Sequence, residues 1–152
     1  MNYATLFTAT CFFLIACNNK SDQQKAQEDT TAVATNYSWS AELNDSSGRL
    51  QMKKIPTGPD SLTIASVIDY LNRSNPNIKL VLSKTSNDTV YINIPEPTYL
   101  TQQMGSTGPT MYLASVIYNL TEVQGFRYVT LDFEEGDHAG PGTYNRDSFK
   151  DE

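Results

Sequence analysis

The chain has 152 residues, a formal net charge of −6, and 39% hydrophobic and 11% aromatic residues. That apolar content is sufficient for one folded domain with its own core. The acidic balance excludes the basic footprint of a nucleic-acid-binding protein, so we predict no nucleic-acid partner.

The N-terminal stretch MNYATLFTATCFFLIAC is similar to a bacterial lipoprotein signal over residues 1–17. Residues 6–16 are mostly apolar but shorter than the roughly 20 residues that a membrane-spanning helix needs, which suits a secretory signal. The tetrapeptide Leu-Ile-Ala-Cys at 14–17 resembles the lipobox, which is cut before its cysteine. This resemblance implies that Cys17 becomes the lipidated N-terminus, whereas Cys11 leaves with the signal. The alternatives are a plain secretory peptide and a chance apolar start.

Residues 18–35 are polar and show no apolar period. Such a segment cannot bury a core, so we predict a flexible tether. A single domain over residues 36–152 then follows. With lipid on Cys17, this organisation implies a domain outside the cytoplasm, held to a membrane of the bacterial cell envelope by its anchor.

The first part of the domain alternates strands with one helix. Predicted strands cover residues 37–43, 50–55, 78–82 and 89–95. The helix between the second and third strands begins at a cap, Asp60 or Ser61, and ends before the Asn-Pro-Asn of residues 75–77. Its apolar face consists of residues at helical spacing: Ile64, Val67, Ile68 and Leu71.

A second amphipathic helix is predicted over residues 107–121. Ser106 is the expected N-cap, and Pro109 lies in the first turn, where its missing N–H costs little. Gly125 ends the segment because glycine adopts a left-handed conformation without a Cβ clash. The apolar face of this helix is formed by Leu113, Val116, Ile117 and Leu120.

A last strand over residues 126–133 has a period of two, which places Val129, Leu131 and Phe133 on its buried face. The tetrapeptide Ala-Ser-Val-Ile at 65–68 recurs at 114–117, as ancient halves or by coincidence. Two β-α-β units preceded by one strand give the order ββαββαβ. We predict an α+β fold, with both helices on one face of a small, mainly antiparallel sheet, similar to the ferredoxin-like fold.

The stretch over residues 105–133 resembles the GerMN domain, named after a lipoprotein needed for spore formation and germination. The matching features are Gly105-Ser106, the apolar helix around Ala114, Leu120-Thr121, Gly125, and Val129 with Leu131. Residues 90–94 fit the family's preceding strand, and the resemblance covers residues 50–133. Pro109-Thr110 departs from the family pattern. The resemblance implies a non-enzymatic domain of envelope or sporulation complexes that binds another protein.

The end of the domain is acidic. Carboxylates of Asp132, Glu134, Glu135 and Asp137 could bind calcium, but their spacing is not that of an EF-hand. A solvated acidic turn is the favoured interpretation, and we predict no metal or cofactor. His138 is the only histidine, and no nucleophile motif accompanies it, so we predict no enzymatic activity.

Four aromatic residues lie outside the apolar stripes and are candidates for stacking on sugars or for packing at the edge of the core: Trp39, Tyr99, Tyr112 and Tyr144. Tyr144 and Phe149 are expected to anchor the tail, and the polar connection at 96–104 either binds a partner or only connects. The predicted function is that of a protein-binding or scaffolding module of a lipid-anchored envelope lipoprotein. Binding of peptidoglycan or another glycan is the alternative, and a hydrolase using His138 ranks third.

Overall fold

The computed structural model of the protein describes residues 37–150. The predicted signal, Cys17 and the tether lie outside the described residues. The helices and strands are, in chain order, β1 (Ser38–Leu43), β2 (Leu50–Ile55), α1 (Ile64–Ser74), β3 (Val81–Ser86), β4 (Thr89–Asn93), α2 (Gly108–Leu120), β5 (Tyr128–Asp132) and β6 (Gly142–Tyr144). A π-helical turn, Tyr99–Gln103, precedes α2, and a 3-10 turn, Arg146–Phe149, follows β6. The α+β class predicted from the sequence is confirmed.

The strands form two sheets. β1 and β2 make an antiparallel hairpin of their own, with Ser38 opposite Ile55. The larger sheet has the order β3-β4-β5-β6, in which β4 and β5 are parallel and the other two pairs are antiparallel. The sequence predicts one sheet, so the structure differs here. Since β2 and β3 belong to different sheets, the ferredoxin-like arrangement is not formed.

Helix α2 is the element that the two sheets share. It contacts β1 and β2 of the hairpin and β5 of the larger sheet. Its predicted apolar face is confirmed, and further buried residues widen that face beyond a single stripe, as in a helix covered on more than one side. The buried residues of α2 are Pro109, Tyr112, Leu113, Ala114, Val116, Ile117, Asn119 and Leu120.

Side chains of α2 occupy the edge of β1 that β2 leaves free. The amide of Asn119 donates to the carbonyl oxygen of Trp39 at 2.7 Å and accepts from the backbone N–H of Trp39 at 2.9 Å. The hydroxyl of Ser115 accepts from the N–H of Ala41 at 3.0 Å. Side chains of a helix thus take the place of a neighbouring strand. Because the backbone groups on this edge of β1 already have partners, β1 does not pair with the larger sheet.

The core lies where α1 and α2 meet one face of the larger sheet. The alternation predicted for β5 is confirmed, because Val129, Leu131 and Phe133 are buried. Strand β4 adds Val90 and Ile92, both buried. Residues that alternate with these on β4 and β5 point away from the helices.

The helix starts differ from the predicted ones. Thr63, rather than Asp60 or Ser61, caps α1, and its side chain accepts a backbone hydrogen bond of the first turn. Thr107 stands at the cap position of α2, where no side chain makes a capping bond, so Ser106 is not the N-cap. In the first turn of α2, Pro109 is buried.

Strand β3 also begins later than the predicted strand at 78–82. Ile78 and Leu80 are buried before the strand, whereas all of Val81–Ser86 is exposed. The amide of Asn72 in α1 explains the shift. It accepts from the N–H of Leu80 at 2.8 Å and donates to the carbonyl of Leu80 at 3.0 Å, so this residue bonds to the helix.

Candidate functional site

The face of the larger sheet that points away from α1 and α2 is the first candidate surface. Within residues 37–150, no helix or strand packs across it. We call it the outer face, and it carries the partly or fully exposed side chains of Lys84, Tyr91, Tyr128, Thr130 and Thr143. Strand register places Tyr91 beside Thr130, and Thr130 beside Thr143.

Two tyrosine rings of the outer face are each accompanied by a cation. The ammonium of Lys84 lies 4.7 Å from the ring centroid of Tyr91. The guanidinium of Arg127 lies 5.5 Å from that of Tyr128. Such contacts hold a flexible cation over an aromatic surface. The outer face therefore combines apolar ring area with the cation of Lys84 at one end and with an ion pair of Arg127 and Asp88 at the other.

A groove of about 350 Å³ borders the outer face at the start of β5. Its two guanidinium groups are each paired with a carboxylate: Arg127 with Asp88 at 2.8 Å and Arg146 with Glu122 at 2.6 Å. The groove is therefore nearly neutral. Its lining consists of Thr121, Phe126, Arg127, Tyr128, Asn145, Arg146 and Asp147.

Glu122, just after α2, lies at the centre of a hydrogen-bond cluster. One carboxylate oxygen accepts from the hydroxyl of Tyr37, and the other accepts from the indole of Trp39 at 2.9 Å and from Arg146 at 2.6 Å. Burial raises the pKa of Glu122, but these three hydrogen bonds and the charge of Arg146 outweigh it and lower the pKa to about 2. At neutral pH the carboxylate is ionised, so it serves as an acceptor rather than as a proton donor.

Trp39 belongs to this cluster, and its ring packs against two other aromatic rings of the domain. It meets Tyr118 edge-on at 5.6 Å and Tyr37 at 6.5 Å between centroids. Lys54 lies 3.9 Å above the Tyr37 ring, and Arg146 lies 4.9 Å from the Tyr118 ring. The cluster fastens the hairpin and the C-terminal segment to the end of α2, and Trp39 is half-buried within it.

The other predicted aromatic candidates lie apart. Tyr112 is 5% exposed, so its ring has no face free for a sugar, which corrects that prediction. Burial raises the pKa of its hydroxyl, which has no hydrogen-bond partner in the described chain. Tyr144 stacks on buried Phe149 at 6.0 Å and donates to the carbonyl of Gly140 at 2.8 Å, which confirms that this pair anchors the tail. Tyr99 is partly buried against the core, and no ring contact within residues 37–150 joins two of the four candidates.

The connection between β4 and α2 is not an open loop. Leu100 and Thr101 are buried within its π-helical turn. The acidic segment lies against this turn, because the N–H of His138 donates to the carbonyl of Thr101 at 3.1 Å. A Cβ on Gly136 would stand 2.6 Å from that of Thr101, so glycine permits the close approach.

The carboxylates of the acidic segment point to solvent. Asp132, Glu134, Glu135 and Asp137 are exposed, and so is the side chain of His138. In the part of the chain that the structure describes, no group of three or more histidine, cysteine or acidic side chains is placed to hold a metal ion. Separately, none of the helices between residues 37 and 150 has the length and apolar character needed to cross a membrane.

Sequence reasoning missed the residues of the outer face and, apart from Trp39, those of the cluster at Glu122. Tyr91 and Tyr128 alternate with buried residues of β4 and β5, so the period of two already carries the signal that would have found them. Glu122 has no such signal, because it follows the helix as an ordinary charged residue. Its partners come from positions 24 to 85 residues away in the chain.

A comparison with protein-family models finds one described as Germane, sporulation and spore germination, which matches residues 10–137. The match is well over half of the chain and includes every strand and helix from β1 to β5. No match was found among curated proteins or among solved structures.

Proposed function

Because the chain belongs to the Germane family of sporulation and spore germination domains, we propose that it is a lipid-anchored protein of the bacterial cell envelope whose domain binds another envelope protein without catalysing a reaction. The outer face is the observation that supports this proposal. Its partly exposed tyrosines, Tyr91 and Tyr128, carry apolar area on the sheet, with Lys84 beside Tyr91 and the ion pair of Arg127 and Asp88 beside Tyr128. Tyrosine and arginine are enriched where proteins bind each other.

The anchor rests on the tetrapeptide at residues 14–17 and is tested by labelling cells with radioactive palmitate. The natural chain should incorporate label and sediment with membranes. Cys17→Ser should lose the label and leave the membrane fraction, because the acyl chains have no attachment atom. Cys11→Ser is the matched control and should behave as the natural chain. Label retained on Cys17→Ser would overturn the lipid anchor.

The binding role is tested by photo-crosslinking in cells. The variants Tyr91→benzoylphenylalanine and Thr130→benzoylphenylalanine place the crosslinker on the outer face. Arg49→benzoylphenylalanine places it on the exposed turn of the hairpin as a control. We expect a discrete set of envelope proteins from the two outer-face positions and not from Arg49. No protein adduct from any position on the domain would contradict the scaffolding role.

A glycan ligand is the second candidate, and one pair of residues favours it. The hydroxyls of Thr130 and Thr143 lie 2.9 Å apart in the same row as the Tyr91 ring. A ring beside hydroxyls fits the apolar face and polar rim of a sugar. The test is co-sedimentation with purified sacculi, in which Tyr91→Ala should reduce binding and Leu43→Ala should not. Failure of the natural chain to sediment would remove this candidate.

A further inference from the structure

The sheet edges of the domain are protected unequally. The free edge of β1 is covered by Asn119 and Ser115 of α2. Strand β6 has only three residues and follows Pro141. Strand β2 carries Lys53, which is paired with Glu42, and Lys54, which lies over the Tyr37 ring, so lysine does not distinguish its edge from that of β3. Short strands and proline are among the usual means of preventing unwanted strand pairing. The remaining edge is that of β3, and its protection can be compared with that of the other three strands.

Among residues 37–150, no strand pairs with the outer edge of β3. The strand has a β-bulge or similar irregularity between Leu82 and Lys84, where its register with β4 shifts. Asn72 satisfies the backbone of Leu80, immediately before the strand. From Val81 to Ser86 every residue is exposed, and the backbone there bonds only within its own hairpin, as far as residues 37–150 show. Lys84 belongs to this strand, and its ammonium lies 4.7 Å from the ring centroid of Tyr91 on the outer face. Its positive charge therefore lies beside the edge, on that side of the sheet.

The large side chains along this edge are apolar or positively charged. Val81 and Leu82 are 39% and 41% exposed, and the remaining large exposed apolar residue among those described, Leu43, lies on the hairpin. Lys79 and Lys84 flank them, and residues 78–87 contain no acidic side chain. The edge is thus apolar and positive on a chain whose net charge is −6.

We propose that β3 binds an extended segment of an envelope protein in which apolar and acidic side chains alternate, so that the segment becomes a fifth strand of the larger sheet. This inference rests on the scaffolding function proposed above and names its mode of binding. Main-chain hydrogen bonds to an edge strand supply affinity, and the side chains beside it supply specificity. A second copy of this chain offers less charge complementarity, because its β3 segment also has no acidic side chain between residues 78 and 87.

The test uses the full chain labelled with ¹⁵N and a short synthetic peptide in which valine and glutamate alternate. Binding should shift the amide signals of residues 81–86 and slow their hydrogen exchange, while those of Gly142–Tyr144 in β6 stay unchanged. A peptide with alternate backbone nitrogens methylated should not bind, because it cannot complete the ladder. Equal binding of the methylated peptide, or shifts confined to β6, would overturn the proposal.

Matched variants separate the edge from general surface effects. The Lys79→Glu/Lys84→Glu pair should weaken binding of the acidic peptide by at least about tenfold, since attraction becomes repulsion. Leu82→Glu should weaken it as well, whereas Leu43→Glu, at an equally exposed residue on the hairpin, should not. Spectra that retain their dispersion establish that each variant is folded. Equal losses from Leu82→Glu and Leu43→Glu would count against the edge.

Binding at the edge of β3 and the scaffolding function can be disproved independently of each other. With Leu82→benzoylphenylalanine in cells, the same envelope proteins should be captured as from the outer face. If proteins crosslink to Tyr91 and Thr130 variants but never to the Leu82 variant, the scaffold remains and the fifth strand is wrong. If no variant captures a protein, both proposals fall.

Discussion

Asn119 is the side chain on which the attachment of the hairpin to α2 most depends. It is 4% exposed, and its amide replaces a strand by bonding both backbone groups of Trp39. Ser115 makes a single bond to the same edge. Substitution of each residue therefore allows the stabilising contributions of two side chains on the same helix to be compared.

We predict that Asn119→Ala lowers the free energy of unfolding by about 2–4 kcal/mol, since two backbone groups lose their partner in a buried position. Ser115→Ala should cost about 1 kcal/mol, because only one backbone group of β1 loses its partner and the hydroxyl's other hydrogen bond, to the carbonyl of Met111, lies within the helix. Urea unfolding of both variants and of the natural chain measures the difference. A loss at Asn119 no greater than that at Ser115 would show that the amide does not hold the edge of β1.

The second residue-scale prediction concerns acid. The pKa of Glu122 is lowered from 4.5 to about 2 in the folded chain, so its ionised form stabilises the fold above pH 4.5, and this contribution is lost as the pH falls towards 2. The ionised Glu122 contributes at most about 3 kcal/mol to the free energy of unfolding. Solvent screening reduces this contribution, because 21% of the side chain remains exposed.

Glu122→Gln should therefore be less stable than the natural chain at pH 7, and this difference should shrink steadily between pH 4.5 and pH 2. The measurement is urea unfolding at a series of pH values, with Glu134→Gln at an exposed carboxylate as the control. A difference that stays constant over this range would mean that the hydrogen bonds to Glu122 do not depend on its charge.

At the scale of elements, the loop between β2 and α1 presses against the start of the hairpin. A Cβ on Gly58 would lie 2.2 Å from the backbone oxygen of Tyr37. Gly58→Ala should cost about 2–4 kcal/mol, because a backbone contact cannot relax by rotating a side chain. Gly140→Ala is the control, since its Cβ would meet only the flexible carboxylate of Glu135 at 3.3 Å. Thermal unfolding compares the two, and similar melting temperatures would contradict the contact at Gly58.

The two helices, the strands β1, β2, β4 and β5, and the buried faces of α1, α2 and β5 were predictable because each is a local period in the sequence. Strand β3 begins three residues later than predicted, and β6 was not predicted. Val129 and Leu131 lie inside by alternation, and Val116 and Ile117 by helical spacing. The division into two sheets was not predictable, because it depends on whether a strand or a helix covers β1. Asn119 and Ser115 have no pattern that distinguishes such a role from that of any polar helix residue.

The candidate site was predictable only in part. Reading the aromatic residues against a single apolar stripe placed Tyr112 outside the core, whereas α2 is buried over a wider arc that includes it. Tyr91 and Tyr128 follow from the period of their strands. The cluster at Glu122 does not, because Tyr37, Trp39 and Arg146 reach it from both ends of the domain.

For the whole molecule, the shared helix predicts cooperative unfolding. Trp39 is the only tryptophan, so its fluorescence reports on the hairpin and its attachment, while the amides of β4 and β5 report on the larger sheet. Both signals should change at the same urea concentration, because neither sheet keeps its core without α2. A Trp39 transition at clearly lower urea would mean that the hairpin detaches as a separate unit.

Because α2 is covered on two sides, it should tolerate fewer substitutions than α1. Only Ile64, Val67, Ile68 and Leu71 of the eleven residues in α1 are buried, whereas most of the thirteen in α2 are. Random substitutions should therefore be tolerated at most positions of α1 and at few of α2. The segment of α2, Gly108–Leu120, is then the helix in which the fold permits the fewest substitutions.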